Sequence, residues 1–344
     1  KIVFFSQDVD TDNNNKSNIS KIKKNVEKSI KYLDKNAVFV ILSQVDFGFT
    51  RKIKFKKNNL YYQVETLVFG EAVQRANNPE RLIIGTENET DKINKEYLNY
   101  IKKFNCPLIR MTYESAELTK KAINIFLCST ITATNQFTEL CEKTSANWKH
   151  ISKALILDKR IGKYAYVKPA LGISGGNLER DIKTIEELNK KYKIDNKFIE
   201  SINFFSKKKK NWVKNILKKK YIVNKKTNFG VLGLAYKENT NSLKNSSSIL
   251  LIKQLCKKNK VFGYDPEAKN FKLKNFQRLK SLKDVLRFSK IIIIMTPWNE
   301  FKKIKKNILS KSLLNKIVID PYDVIKNKEL YKNTKFFILG KKSS

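Results

Sequence analysis

Lys120 and Asn124 stand four residues apart within residues 115–144, a long stretch with few breakers and apolar residues at helical spacing. That separation is about one helical turn, so the ammonium and the amide share a face and can turn toward one substrate atom. A solvated lysine and an interior Asn would be the plainer arrangement, but an amide inside an apolar helix is costly without a buried partner. Asp181 ends a glycine-rich stretch, Gly172-Ile173-Ser174-Gly175-Gly176 and the residues after it, and lies early in a helical pattern over 177–191. An acid there also complements the helix dipole. A second set begins at Gly230-Val231-Leu232-Gly233, at a strand end before a helix, with Lys237 and Lys244 close behind. Glycines, a helix N-terminus and two cations suit a diphosphate, although no GxGxxG is present.

Other chemistries find less support. Cys106, Cys128, Cys141 and Cys256 form no CxxC pair, and His150 is the single histidine, so neither a disulfide framework nor a metal site is expected. A reducing cytoplasm fits that cysteine usage. The net charge of +39 comes from 71 basic against 32 acidic residues, which raises nucleic-acid binding as an alternative. The lysines are spread along the chain and Arg is scarce, which favours compositional drift over a dedicated nucleic-acid surface. The uncharged stretch 122–138 carries too many Asn, Ser, Thr and Gln residues to cross a bilayer unaided, so no membrane partner is expected.

Three regions must position these groups. In residues 1–110, apolar runs at 2–5, 37–42 and 81–85 read as buried strands of a parallel sheet, with a helix over 19–33 between the first two. Ser43-Gln44-Val45 follows one such run, at the strand end where α/β sheets bind ligands. Residues 111–203 read as mostly helical. Residues 204–344 repeat the α/β signature, with strands at 228–234, 261–265, 291–296, 317–320 and 336–340. A helix over 246–257 carries a Ser N-cap. The run 207–210 reads as a charged face or loop. The fold class is therefore α/β: two parallel-sheet domains, 1–110 and 204–344, joined by a helical domain, 111–203.

Several motifs together resemble the UDP-glucose/GDP-mannose dehydrogenase family. Glu117-Leu118-Thr119-Lys120 through Asn124 is similar to its Glu-Leu-x-Lys-x-x-x-Asn helix. Asp158-Lys159-Arg160-Ile161-Gly162 matches its Asp-x-Arg-Ile-Gly. Residues 172–181 resemble its catalytic loop, and Ala235-Tyr236-Lys237 with the residues to Ser246 resembles a further segment. Tyr264-Asp265-Pro266 and Thr296-Pro297-Trp298 complete the set, in family order. The resemblance implies two Rossmann-like domains, the first of them incomplete. The chain would begin partway into that domain, at Lys1, with the turn for the dinucleotide pyrophosphate upstream and NAD bound weakly as a result.

The resemblance implies NAD-dependent oxidation of a nucleotide sugar, most simply a UDP-sugar, at C6 by a cytoplasmic homodimer. Lys120 and Asn124 would hold the oxyanion and a water, and Asp181 would orient that water or pair with Lys120. Glu65 would be an acid/base. Ser43, Gln44, Val45, Phe69 and Lys244 would face the cofactor. Gln44 stands for a threonine that touches nicotinamide or water, Phe69 for a Glu, and Lys244 for an Arg. Arg160, Tyr166, Lys168, Gly172, Gly175, Tyr236, Lys237 and Tyr322 would bind substrate, with Tyr322 in place of an Arg. The family's nucleophilic cysteine falls at Asn177, which closes the thioester route unless a cysteine arrives from elsewhere in the fold. Chemistry limited to the first hydride transfer, or a catalytically silent paralogue that binds the nucleotide sugar, are both compatible with that change.

Overall fold

The computed structural model describes residues 1–12, 17–68, 70–220, 227–331 and 333–342. Contacts divide the chain into two units, one of Lys1–Phe126 with Arg180–Ile194 and one of Leu127–Glu179 with Asp195–Ser344.

The first unit opens with β1 (Ile2–Phe5), α1 (Ile19–Ile30) and β2 (Val38–Ile41), the expected βαβ element. Asn18 caps α1 by accepting from the Lys21 amide at 3.3 Å, and Ile22 and Val26, one turn apart, face the core. Next come β3 (Leu60–Gln63), α2 (Ala72–Asn77), β4 (Leu82–Thr86), α3 (Lys95–Lys102), β5 (Leu108–Thr112) and α4 (Tyr113–Lys143). Among the described residues the sheet runs β1-β2-β3-β4-β5. β1 through β3 are parallel, but β3 and β4 pair antiparallel, so the run at 81–85 belongs to a reversed half of the sheet. β2 is fully buried, as a central parallel strand must be, whereas β1 at the edge is half-buried.

Residues 45–57 lie antiparallel along the first turns of α4. Tyr113 Oη donates to Leu60 O at 2.9 Å, and Arg51 pairs with Glu114. Glu117, fully buried, accepts the Gly48 and Thr50 amides at 2.5 and 2.8 Å. Lys121, also buried, donates to Val45 O at 2.7 Å. A loop leaving a strand end has backbone donors that no ladder satisfies, and Glu117 supplies the missing acceptors.

The second unit holds α5 (Trp148–Leu157), the start of α6 (Asn177–Lys191), α7 (Lys197–Lys210) and α8 (Trp212–Lys220). It continues with β6 (Phe229–Leu232), α9 (Ser247–Leu255), β7 (Val261–Tyr264), β8 (Phe276–Arg278), α10 (Leu282–Phe288) and β9 (Ile291–Ile294). It ends with α11 (Asn299–Lys302), α12 (Lys306–Leu313), β10 (Ile317–Ile319) and β11 (Lys335–Phe337). The strand order is β11-β10-β9-β6-β7-β8, all parallel. Chain order reverses between β6 and β9, and a doubly wound sheet binds its ligands outside the carboxyl ends of the strands at such a point. Ser246 caps α9 as expected, accepting from the Ser248 amide at 3.2 Å while its own hydroxyl donates to Leu234 O at 2.7 Å.

The run 207–210 is neither a loop nor wholly solvated. It forms the last turn of α7, where Lys209 is buried with its ammonium on Thr138 Oγ1 at 3.2 Å and 3.7 Å from Glu142. No helix among the described residues is long and apolar enough to cross a membrane.

Replacing Glu117 with Ala leaves two buried amides without acceptors. The Glu117→Ala variant should lose about 3 kcal/mol of stability, read in urea denaturation, and its 45–50 amides should exchange with solvent faster than those of β7.

Candidate functional site

The two units each carry a cluster of polar groups. In the first unit, Lys120, Asn124 and Asp181 come together as the sequence implied. Asp181 is 1% exposed, and its Oδ2 accepts from Asn124 Nδ2. That is the buried partner which the amide on α4 requires. Asp181 Oδ1 accepts from Gln44 Nε2, and Gln44 Oε1 accepts in turn from Arg180 Nη2. Of the two expectations for Asp181, pairing with Lys120 is not realised: the Lys120 ammonium donates to Glu65 O at 2.6 Å. Burial holds the Lys120 ammonium below the usual lysine range, against the opposing pull of Glu65 and Asp181. Lys121 is lowered as well, again chiefly by burial.

The strand-end residues serve partly as scaffolding. Ser43 Oγ donates to Gln7 O at 2.6 Å, which ties the exits of β1 and β2 together. Val45 is buried and offers its carbonyl to Lys121. Glu65 is half-buried, with its carboxylate turned back to accept the Leu67 amide. Phe69 lies outside the described residues.

In the second unit a cavity of about 180 Å³ opens at the carboxyl ends of β6 and β9. Leu171 to Ser174, Tyr236, Lys237, Ser247 and Tyr322 are among its lining residues. One side is the glycine loop. Ile173 N donates to Ser206 Oγ at 2.9 Å, Ser247 Oγ donates to Leu171 O at 2.8 Å, and Asn245 Nδ2 donates to Gly175 O at 3.0 Å. Gly175 has φ +95°, and a Cβ there would lie 2.7 Å from the Tyr236 ring, so only glycine lets ring and loop approach this closely.

The opposite side is shaped by Asp265. This carboxylate, 0% exposed, accepts the Leu234, Ala235, Glu267 and Ala268 amides at 2.6, 3.0, 2.9 and 2.8 Å and the Trp298 indole at 3.2 Å. Thr296 Oγ1 donates to Ala235 O at 2.7 Å. Three separate motifs therefore meet to fix the turn that carries Tyr236 and Lys237. A similar clamp holds Tyr322: Asp320, fully buried, accepts the Val324 and Ile325 amides, both at 2.9 Å. Burial raises the Tyr322 hydroxyl above the usual phenol range, so it is a neutral donor at physiological pH.

The remaining expected residues are more exposed. Asn177 begins α6 with an exposed side chain. Lys244 passes Gly176, within 3.5 Å of where a Cβ would sit. Tyr166 and Lys168 are exposed. Arg160 is held by Asp158 through contacts of 3.0 and 2.7 Å in the turn after α5. Among the shifted groups no thiol is activated: burial raises Cys141, and pushes Cys256 to about 11.

Sequence reasoning missed Arg180, Glu117, Lys121 and Ser206. Arg180 is buried, and its Nε has no hydrogen-bond partner among the described residues, an unmet donor of the kind a ligand oxygen satisfies. Ser43, Gln44 and Val45 lie at the strand end where α/β sheets bind ligands, with polar groups engaged by Gln7, Asp181, Arg180 and Lys121.

Because the folded state lowers Lys120 relative to an unfolded lysine, its charged form works against folding at neutral pH. That burden is relieved as pH rises through the lowered value. Lys120→Met should therefore be more stable than the parent at pH 7, with the gain fading toward pH 10, in urea denaturation series.

Comparison with known proteins points one way. The central-domain profile of the UDP-glucose/GDP-mannose dehydrogenase family matches residues 114–205, and that family's UDP-binding-domain profile matches residues 230–327. A UDP-glucose 6-dehydrogenase of Rickettsia conorii is 29% identical over 336 residues, which cover 92% of this chain and 76% of the relative. A UDP-glucose 6-dehydrogenase of Campylobacter jejuni is 31% identical over 260 residues, covering 74% and 64%. In fold, the chain is similar to a UDP-glucose dehydrogenase from Pyrobaculum islandicum, with a TM-score of 0.84 and 20% identity over 99% of this chain and 80% of the other. A UDP-D-ManNAc dehydrogenase from Pyrococcus horikoshii gives 0.82 at 20% identity, over 98% and 81%.

Proposed function

This chain belongs to the UDP-glucose/GDP-mannose dehydrogenase family, and we propose that it carries out the first NAD-dependent oxidation of a UDP-sugar, C6 alcohol to aldehyde. The observation that carries this reading is the set at α4: a half-buried ammonium at Lys120, one turn from an amide at Asn124 that a buried carboxylate anchors. As the C6 hydroxyl loses its proton, the growing charge on oxygen needs a fixed cation and N–H donors in a site of low dielectric. Lys120 supplies the cation and Asn124 the donor. A lysine lowered by burial is also closer to the range in which it exchanges a proton with the alcohol. When bound, NAD supplies the two-electron hydride acceptor, and Ser43, Gln44, Val45, Arg180 and Lys244 are the residues assigned to it.

The nucleotide is assigned to the cavity of the second unit. Tyr236 presents an aromatic face, with Lys237 Nζ 5.9 Å from the ring centroid, and Lys237 and Lys168 supply charge for the diphosphate. Tyr322 offers a neutral hydroxyl to the same ligand. Gly172 and Gly175 keep the loop backbone within reach of the ligand. Arg160 and Tyr166 complete the substrate set, and Phe137 and Leu140, exposed on α4, support a homodimer as the working form.

The second oxidation is a different matter. It captures the aldehyde as a thiohemiacetal, and the amide of Asn177 is no nucleophile. Glu65, Lys120, Asn124 and Asp181 remain, which is enough for one hydride transfer.

The chain incubated with NAD and UDP-glucose in the presence of hydroxylamine should form one NADH per sugar, with the aldehyde recovered as its oxime. Asn177→Cys should raise the yield toward two. Binding of UDP-glucose in calorimetry with no NADH from any UDP-sugar tested would leave a silent binding protein instead.

A further inference from the structure

We propose that Gln44 is a positioning residue for this chemistry: it turns Asp181 into a fixed anchor for the Asn124 amide rather than a holder of water. The proposal rests on the reading of Lys120, Asn124 and Asp181 given above.

Four side chains form a continuous relay: Arg180 Nη2 to Gln44 Oε1, Gln44 Nε2 to Asp181 Oδ1, and Asn124 Nδ2 to Asp181 Oδ2. Arg180 and Asp181 are 5% and 1% exposed. An arginine and an aspartate adjacent in sequence and both buried would be expected to pair directly. They form an ion pair, with Arg180 Nε 3.8 Å from Asp181 Oδ1, but that Nε makes no hydrogen bond among the described residues. The hydrogen bonds between the two run through the Gln44 amide.

A primary amide is suited to that task, because it holds a donor and an acceptor side by side. Its nitrogen can face the carboxylate while its oxygen faces the guanidinium. Threonine in that place is too short to span both, and glutamate accepts only, so it would set a second negative charge against Asp181. With one oxygen on Gln44 and the other on Asn124, the carboxylate cannot swing. The Asn124 amide is thereby held in one orientation, one helical turn from Lys120. Hydrogen bonds to a charged group are the stronger kind, so the hold is firm.

The test uses the full chain labelled with ¹⁵N in its side-chain amides, first without added ligand. The Asn124 amide signal is identified by its loss in Asn124→Asp. Gln44→Met keeps the size and removes both hydrogen bonds. Solvent exchange of the Asn124 amide should rise about tenfold or more in Gln44→Met, the loss expected for bonds to charged groups. Gln44→Glu should act in the same direction. If Gln44→Met does not fold by circular dichroism, Gln44→Thr is read in its place.

With NAD and UDP-glucose, Gln44→Met should lower kcat about tenfold or more and leave KM for UDP-glucose within about twofold, as expected for an interaction felt only in the transition state. Unchanged exchange at Asn124 overturns the proposal, as does an active parent whose kcat is indifferent to residue 44. If exchange responds as expected but the parent reduces no NAD, the relay stands and the hydride-transfer reading falls.

Discussion

The carboxylate of Asp265 is fully buried, and the second unit is organised around satisfying it. Five donors converge on its two oxygens: four backbone amides and one indole. The donors come from three strand exits. Leu234 and Ala235 leave β6 and cannot continue its ladder, Glu267 and Ala268 turn away from β7, and Trp298 follows β9. A buried charge is tolerated only where its hydrogen-bonding capacity is filled, so these strand ends are tied to one point. Gly233 meets the same constraint from the other side, with φ +93° and a would-be Cβ 2.5 Å from Thr296. The cavity at the strand ends is what remains once those ties are made.

The first unit uses buried charge differently. Glu117 and Lys121, one turn apart on α4, both spend their polar atoms on the backbone of residues 45–50. Lys120 and Asn124, on a neighbouring stripe of the same helix, reach Glu65 O and the Asp181 carboxylate. One helix therefore serves two separate sets of partners by rotation alone, with a single residue step between Lys120 and Lys121 deciding which set each lysine joins.

Much of this was legible in the sequence, and the reasons are physical. The parallel strands of the second sheet are apolar runs such as Ile291–Ile294, which burial on both faces demands, and where the sequence reads these runs as strands their bounds differ by at most three residues. The need of Asn124 for a partner followed from the cost of an unpaired amide. Less could be seen where the signal was nonlocal. β3 has only four residues, Leu60–Gln63, after a lysine-rich loop, and nothing in its composition shows that β4 pairs with it in reverse. The motifs at Asp265 and Thr296 could be noticed but not joined, because their common purpose lies in one carboxylate. Lys209 looked like any member of a lysine run, and its burial depends on Thr138 and Glu142, far away in sequence. Gln44 looked like a simple replacement, and only Arg180 and Asp181 together reveal what its amide does.

The turnabout between β3 and β4 has a geometric cost that α4 repays. Since β5 follows β4 in direction, the chain emerges from it at the rim where β3 begins, and Tyr113 touches Leu60 there. The rim that matters for ligands is the far one, where β2 ends. A strand of four residues spans about 13 Å, and eight residues of helix advance about 12 Å. The helix thus needs the two turns from Tyr113 to bring Lys120 and Lys121 level with the β2 exit. The distance from helix start to Lys120 is in this sense a ruler cut to the width of the sheet, and inserting or deleting one residue before Lys120 would rotate the stripe of Lys120 and Asn124 by about 100°.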